Sequence, residues 1–373
     1  MYNKKRFLQL LRSTDQVNVA LALEVAKGMP AIDLDHYLEV YQVMNALLRP
    51  GTKEEVSVEA ITRLNTEDLK LPKYQLAHLP KQIGELAQLQ SIDACNNFLT
   101  SLPESIGQLK QLKKLYLQDN QLSDLPKSFA QLLQLTLLNL DQNSFSDLPS
   151  GIQSFECLLE LSLNHNKFTQ LAENIVQFTQ LQKLYINHNQ LKTLPKNIGQ
   201  CGQLQKLYLA HNQLTTLPES IGQLTQLNEL KASHNRLAEL PKSIGQITGL
   251  YNLRLEYNQL IQLPKSIGQL NWLYHLHIDH NQLTELPESI GHMNWLYYLH
   301  VSHNQLDTLP ESIGQLAQLQ VLEVSHNRLT TLPKSIGRLR QLKSLGLTGN
   351  NIAPAELQRI KSWLPHCDIY FDE

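Results

Sequence analysis

The chain repeats itself every 23 residues, and that period constrains its fold more than any other feature of the sequence. The unit reads Leu-x-x-Leu-x-Leu-x-x-Asn-x-Leu-x-x-Leu-Pro-x-x-Ile-Gly-x-Leu-x-x. A clean copy starts at Leu204 and continues through Leu207, Leu209, Asn212, Leu214, Leu217, Pro218, Ile221, Gly222 and Leu224. The ninth-position asparagine recurs without insertion at Asn97, Asn120, Asn143, Asn166, Asn189, Asn212, Asn235, Asn258, Asn281, Asn304, Asn327 and Asn350. A degenerate copy precedes these, with Leu69, Leu71, Leu76, Leu79, Pro80 and Ile83, and with Tyr74 in place of Asn. Thirteen units therefore run from Thr66 to a last one that begins at Leu342.

Positions 3 to 7 alternate apolar and polar, the pattern of a short strand with one buried face. Apolar residues at positions 1, 4, 6, 11, 14, 18 and 21 point inward from every side of a coil. One coil cannot bury all of them, so neighbours must stack. The asparagine falls where the chain leaves the strand, where its amide can bond backbone groups of its own coil and the adjacent one. Proline at position 15 fixes an extended or short helical path behind. Coils wider at the back than at the strand must curve, so the expected fold is an α/β solenoid, a curved horseshoe with a parallel β-sheet on its concave wall and strands about 4.8 Å apart.

This pattern is identified as that of the leucine-rich repeat, over residues 66–352. The Leu-Pro-x-x-Ile-Gly-x-Leu form resembles the 23-residue class found in Ras-group leucine-rich repeat proteins and in Roco arrays, although no GTPase domain follows the repeats here. The resemblance implies a protein-interaction module, with a small GTPase as one class of partner.

An open stack exposes apolar coils at both ends and needs caps. The expected organisation is a helical cap over residues 1–65, the array over 66–352 and a C-terminal helix-strand cap over 353–373. Three helices are expected in the first cap. They are Lys4–Leu11, one opening at the Ser13-x-x-Gln16 capping pattern with Val17, Ala20, Leu21 and Ala26, and Asp33–Leu48, ended by Arg49-Pro50-Gly51. Pro354 opens a final helix with Leu357, Ile360 and Leu364 inward, and Asp368 to Phe371 reads as a last strand.

The 32 Lys and Arg nearly balance 34 Asp and Glu, for a net charge of −2, so there is no basic face for nucleic acid. No run of 18 apolar residues exists to cross a membrane. Gln9 and Arg12 interrupt the only apolar stretch near the basic start, which does not read as a secretory signal. Cys95, Cys157, Cys201 and Cys367 form no CxxC pair, and the expected location is cytoplasmic. Cys201 takes a core leucine site, while Cys95 at position 7 is expected on the concave wall. Phe129, Phe145, Phe155, Phe168 and Phe178 replace core leucines. No catalytic constellation is legible, no cofactor is called for, and the chain is read as a non-enzyme.

Function belongs at strand positions the scaffold leaves free. These form a basic-aromatic zone of Lys183, Tyr185, Lys206, Tyr208, Lys231 and Arg254, with Glu256 beside it. A histidine zone follows, with His275, His277, Asp279, His280, Tyr298, His300 and His303. Tyr251, Tyr274 and Tyr297 share position 2 while Trp272 and Trp295 share position 23, along one rim. The main reading is an intracellular signalling adaptor or scaffold that holds a protein on the concave face through these residues. One alternative is a metal or small-ligand receptor in the histidine zone, with His277, His300, His280 and His303 as candidate ligands; another is an effector meeting a host protein. Histidine at position 8 recurs through the array and reads as repeat filler.

Overall fold

The structure, a computed structural model, describes residues 3–30, 32–48, 56–149 and 151–372. The chain forms two compact units, Met1–Asn166 and Lys167–Glu373.

The first unit begins with four helices, α1 Lys4–Leu11, α2 Gln16–Lys27, α3 Leu34–Leu48 and α4 Val58–Leu64. Sequence reading anticipated three of them; α4 was missed, although Ser57 caps it by accepting the Ala60 N–H at 3.1 Å. The cap of α2 is Asp15, which accepts the Val17 N–H at 2.8 Å, rather than Ser13, which instead accepts the Asp15 N–H at 3.1 Å. Helix α2 also buries a different stripe from the one expected: Val19, Ala22 and Ala26 are inside, whereas Val17 is 74% exposed and Leu21 40%. The expected Arg49-Pro50-Gly51 stop lies outside the described residues. Buried Asn65 joins these helices to the first coil. It accepts the Tyr41 hydroxyl at 2.8 Å and donates to the carbonyls of Leu11 and Ser13 at 2.7 and 2.8 Å.

Five three-residue strands follow in this unit, β1 Asp68–Lys70, β2 Ser91–Asp93, β3 Lys114–Tyr116, β4 Leu137–Asn139 and β5 Glu160–Ser162. Within the unit, neighbouring strands from β1 to β5 pair in parallel in chain order. The second unit repeats the plan with β6 Lys183–Tyr185, β7 Lys206–Tyr208, β8 Glu229–Lys231, β9 Asn252–Arg254, β10 His275–His277, β11 Tyr298–His300, β12 Val321–Glu323 and β13 Ser344–Gly346. Helix α5, Pro354–Trp363, and strand β14, Asp368–Tyr370, close it, with Leu357, Ile360 and Leu364 buried as anticipated. The solenoid expected from the repeat is therefore the fold, with each ordered strand three residues long.

Each coil is built as its pattern dictates. The apolar positions are buried, the five core phenylalanines included, and Cys201 with them. Cys95, expected on the wall, is only 8% exposed. The ninth-position asparagine ties its own coil to the preceding one through its side-chain amide. Asn235 Oδ1 accepts the Leu214 N–H at 2.9 Å, while its Nδ2 donates to Leu209 and Ala232 carbonyls at 2.9 and 3.1 Å. Proline at position 15 leads into a 3₁₀ turn, as Pro218 does for Glu219–Gln223. Glycine at position 19 permits close approach: a Cβ on Gly222 would lie 2.5 Å from the Ser243 carbonyl oxygen of the next coil.

Replacing Asn235 with Ala orphans a buried N–H and buried carbonyls in two coils. Urea unfolding is expected to show a loss of about 1–3 kcal/mol per orphaned group that finds no water, whereas Asn294→Ala at position 22 is expected to change stability by no more than about 0.5 kcal/mol.

Candidate functional site

Parallel pairing with a 23-residue register turns repeat positions into columns on the face of the second unit's sheet. Position 3 aligns Lys183, Lys206, Glu229, Asn252, His275 and Tyr298; position 5 aligns Tyr185, Tyr208, Lys231, Arg254, His277 and His300. Side chains in one column stand on neighbouring strands about 4.8 Å apart. The predicted residues are thus brought together, and each zone has an internal structure.

The basic-aromatic zone is organised by an acid that sequence reading left out of the site. Glu229 is buried, and four side chains converge on it. Lys206 Nζ lies 2.9 Å from Oε1 and Lys231 Nζ 3.6 Å from Oε2. The hydroxyl of Tyr251 donates to Oε1 at 2.7 Å, and that of Tyr208 donates to Oε2. Lys231 also sits 4.0 Å from the centroid of the Tyr208 ring, which packs 4.9 Å from Tyr185. Burial works against the charge of Glu229, but hydrogen bonds from Tyr208, Lys206 and Tyr251 outweigh it and hold the carboxyl at about 2. Burial and the same carboxylate raise the Tyr208 hydroxyl. Part of the zone's positive charge is therefore neutralised from within. The available signal was an acid following two lysines in the position-3 column.

In the histidine zone, the rings of His277 and His300 stack at 4.5 Å and those of His275 and Tyr298 at 4.7 Å. Burial, then the proximity of His300 and Arg254, pushes His277 down to about 3, so it is neutral near pH 7. Burial raises Asp279 despite the Ser302 N–H that bonds its Oδ1 at 2.8 Å, and burial also raises Glu323 on β12. Arg254 approaches Glu256 at 3.8 Å, while Arg254 Nε and Glu256 Oε2 are buried without hydrogen-bond partners. One donor atom each from His277, Asp279 and His300 lies within 4.8 Å of the other two.

His280 and His303 belong to a different column. Position 8 is left-handed in every coil, with φ between 52° and 57° from Asn96 to His326. Asn, Asp and His tolerate that region better than most residues, which explains their recurrence there. The consequence is a run of stacked rings along one side of the sheet: His188, His211, His234, Tyr257, His280, His303 and His326, with centroids 4.1 to 4.3 Å apart. What reads in sequence as filler is a continuous ring stack.

On the opposite side, Trp272 and Trp295 stack at 5.7 Å and Tyr274 and Tyr297 at 4.0 Å. The tryptophans remain 60% and 45% exposed. Away from the strands, an open groove of about 700 Å³ runs along the Leu-Pro loops between Glu219 and Pro310. Its lining alternates Lys and Glu, and none of the predicted residues reaches it.

Models of the leucine-rich repeat match residues 87–145, 179–237 and 272–293, and that of a leucine-rich repeat region matches 295–363. A solved leucine-rich repeat protein of Leptospira interrogans is 36% identical, with a TM-score of 0.71, over 88% of this chain and 98% of that one. The chain belongs to the leucine-rich repeat family. Two more distant members share the fold. An internalin of Listeria monocytogenes is 22% identical, with a TM-score of 0.73, over 90% of this chain and 94% of its own. The Drosophila Toll–Spatzle complex contains a chain 26% identical, with a TM-score of 0.71, over 78% of this leucine-rich repeat chain and 42% of that one. No curated protein sequence matches it. No helix among the described residues is long and apolar enough to cross a membrane.

Because the folded-state pKa of Glu229 lies below its ordinary value, its contribution to stability is full above about pH 5 and is lost as pH falls toward 2. Glu229→Gln is expected to cost about 1–3 kcal/mol at pH 7 and to flatten the loss of thermal stability between about pH 5 and 3. Melting curves of wild type and variant across that range check both outcomes.

Proposed function

We propose that this chain is a non-catalytic protein-binding module, an adaptor or scaffold, whose partner docks on the exposed sheet face of the second unit between Lys183 and His303. The observation that carries this reading is the arrangement of aromatic and charged side chains there. Stacked rings and the ion pairs around Glu229 hold them in place, so little conformational entropy remains to be lost on binding. Yet Trp272, Trp295 and Arg254 stay open to solvent, and Trp, Tyr and Arg dominate binding hot spots. The partner's surface would present acids to Lys183, Lys206, Lys231 and Arg254, and polar or cationic groups to Asp279 and Glu323.

The family supports the reading in general terms, since leucine-rich repeat chains commonly serve as protein-interaction modules, and one similar chain was solved within the Toll–Spatzle complex. Four free cysteines favour a reducing compartment, hence an intracellular role. A small GTPase is a partner class suggested by the Ras-group resemblance alone.

The wild-type chain, immobilised and exposed to lysate of its source cells, is expected to retain a partner identifiable by mass spectrometry. With that partner purified, Arg254→Ala, Trp295→Ala and Tyr298→Ala combined are expected to weaken binding by roughly 30-fold or more, the scale of one hot spot. Lys265→Ala with Glu288→Ala, on the Leu-Pro loops, is expected to leave it unchanged. Loss of binding in the loop variant alone would move the site off the sheet.

A further inference from the structure

We propose that the sheet face of the second unit also binds one divalent transition-metal ion of the zinc class, through the imidazoles of His277 and His300 and the carboxylate of Asp279. The inference stands apart from protein docking and rests on local geometry. One donor atom from each residue lies within 4.8 Å of the other two. Two imidazoles with a carboxylate suit zinc and similar borderline ions, and suit magnesium and calcium poorly, because those take oxygen ligands.

The scaffold brings the donors together. Strands β10 and β11 pair in register with His277 opposite His300, and the two rings face each other at 4.5 Å. Drawing both imidazoles onto one ion at about 2.0–2.1 Å requires side-chain rotation of two partly buried rings. Asp279 comes from the same coil as His277, two residues on. The Ser302 N–H bonds its Oδ1 at 2.8 Å, which orients the carboxylate as a supporting hydrogen bond does in metal sites.

The surroundings favour a dication. Glu323 is paired across from His300, and Glu256 keeps a buried Oε2 with no hydrogen-bond partner. Gly346, opposite Glu323, leaves space for that carboxylate: a Cβ there would lie 1.8 Å from Glu323 Oε2. Arg254 opposes binding from β9, but it is turned toward Glu256 at 3.8 Å. Three protein ligands leave a fourth position open toward solvent, where water, or a carboxylate or imidazole of a bound molecule, can complete a tetrahedron. His280 and His303 are engaged in the position-8 stack and are not part of the site.

The test is equilibrium dialysis of the full chain, stripped with chelator, against zinc chloride at about pH 7.5. The wild type is expected to take up one zinc ion, with magnesium in large excess failing to compete. Cobalt in place of zinc is expected to give the visible absorption of nitrogen-oxygen coordination. His277→Gln, His300→Gln and Asp279→Asn are each expected to weaken uptake by about 10-fold or more, and His280→Gln with His303→Gln to leave it unchanged. If a ligand variant fails to fold, zinc protection of wild-type histidines from diethyl pyrocarbonate decides, with His277 and His300 shielded. A folded wild type that takes up no zinc overturns the proposal. So does loss of uptake, or shielding, confined to His280 and His303.

Discussion

The hydrogen bonds of the ninth-position asparagine are the constraint on which the rest of the structure depends. Each coil leaves its strand through a turn that would bury unpaired backbone groups, and burying them unpaired costs more than a typical hydrogen bond returns. Asn212, Asn235 and Asn258 each accept an N–H from the preceding coil and donate to carbonyls of both coils. The amide thus makes each coil's turn complete only in the presence of its neighbour. The buried leucines drive stacking without direction; the asparagine fixes the register at 23 residues.

That register is what makes a surface. Because neighbouring strands align residue for residue, any type of side chain recurring at one position becomes a column, and columns of rings stack. The position-8 stack, the Trp272–Trp295 and Tyr274–Tyr297 pairs and the His277–His300 pair all arise in this way. Where the column changes type, chemistry changes with it: cations gather around Glu229, then imidazoles and acids follow from His275 to Glu323. None of these side chains takes an apolar core position of the repeat, so recognition or metal binding can use them.

The repeat made the solenoid legible because one rule is stated thirteen times over, and the same rule aligns the chosen residues of positions 3 and 5 in columns, while His280, His303, Trp272 and Trp295 fall outside them. What escaped lies where a residue's surroundings come from outside the unit pattern. Val17 and Leu21 read as core residues of α2, but the apolar residues of that helix are spread round it, and its packing against α1 and α4 selected the Val19–Ala22–Ala26 stripe. Cys95 has the strand-face position yet is covered by its neighbours. Glu229 looked like one variable residue among many, and only the folded columns showed four side chains meeting on it. The position-8 histidines carried a backbone signal, recurrence of Asn, Asp and His, that was readable in principle as left-handed φ.

The most direct test of the central claim is native-state hydrogen exchange at the Leu214 amide, whose acceptor is Asn235 Oδ1. If the asparagine ladder holds the coils together, this amide exchanges only on unfolding of a block of coils, and Asn235→Ala speeds exchange at Leu214 and at neighbouring coil turns together. Exchange of the wild-type amide by local opening, at a rate the variant leaves unchanged, would contradict the account.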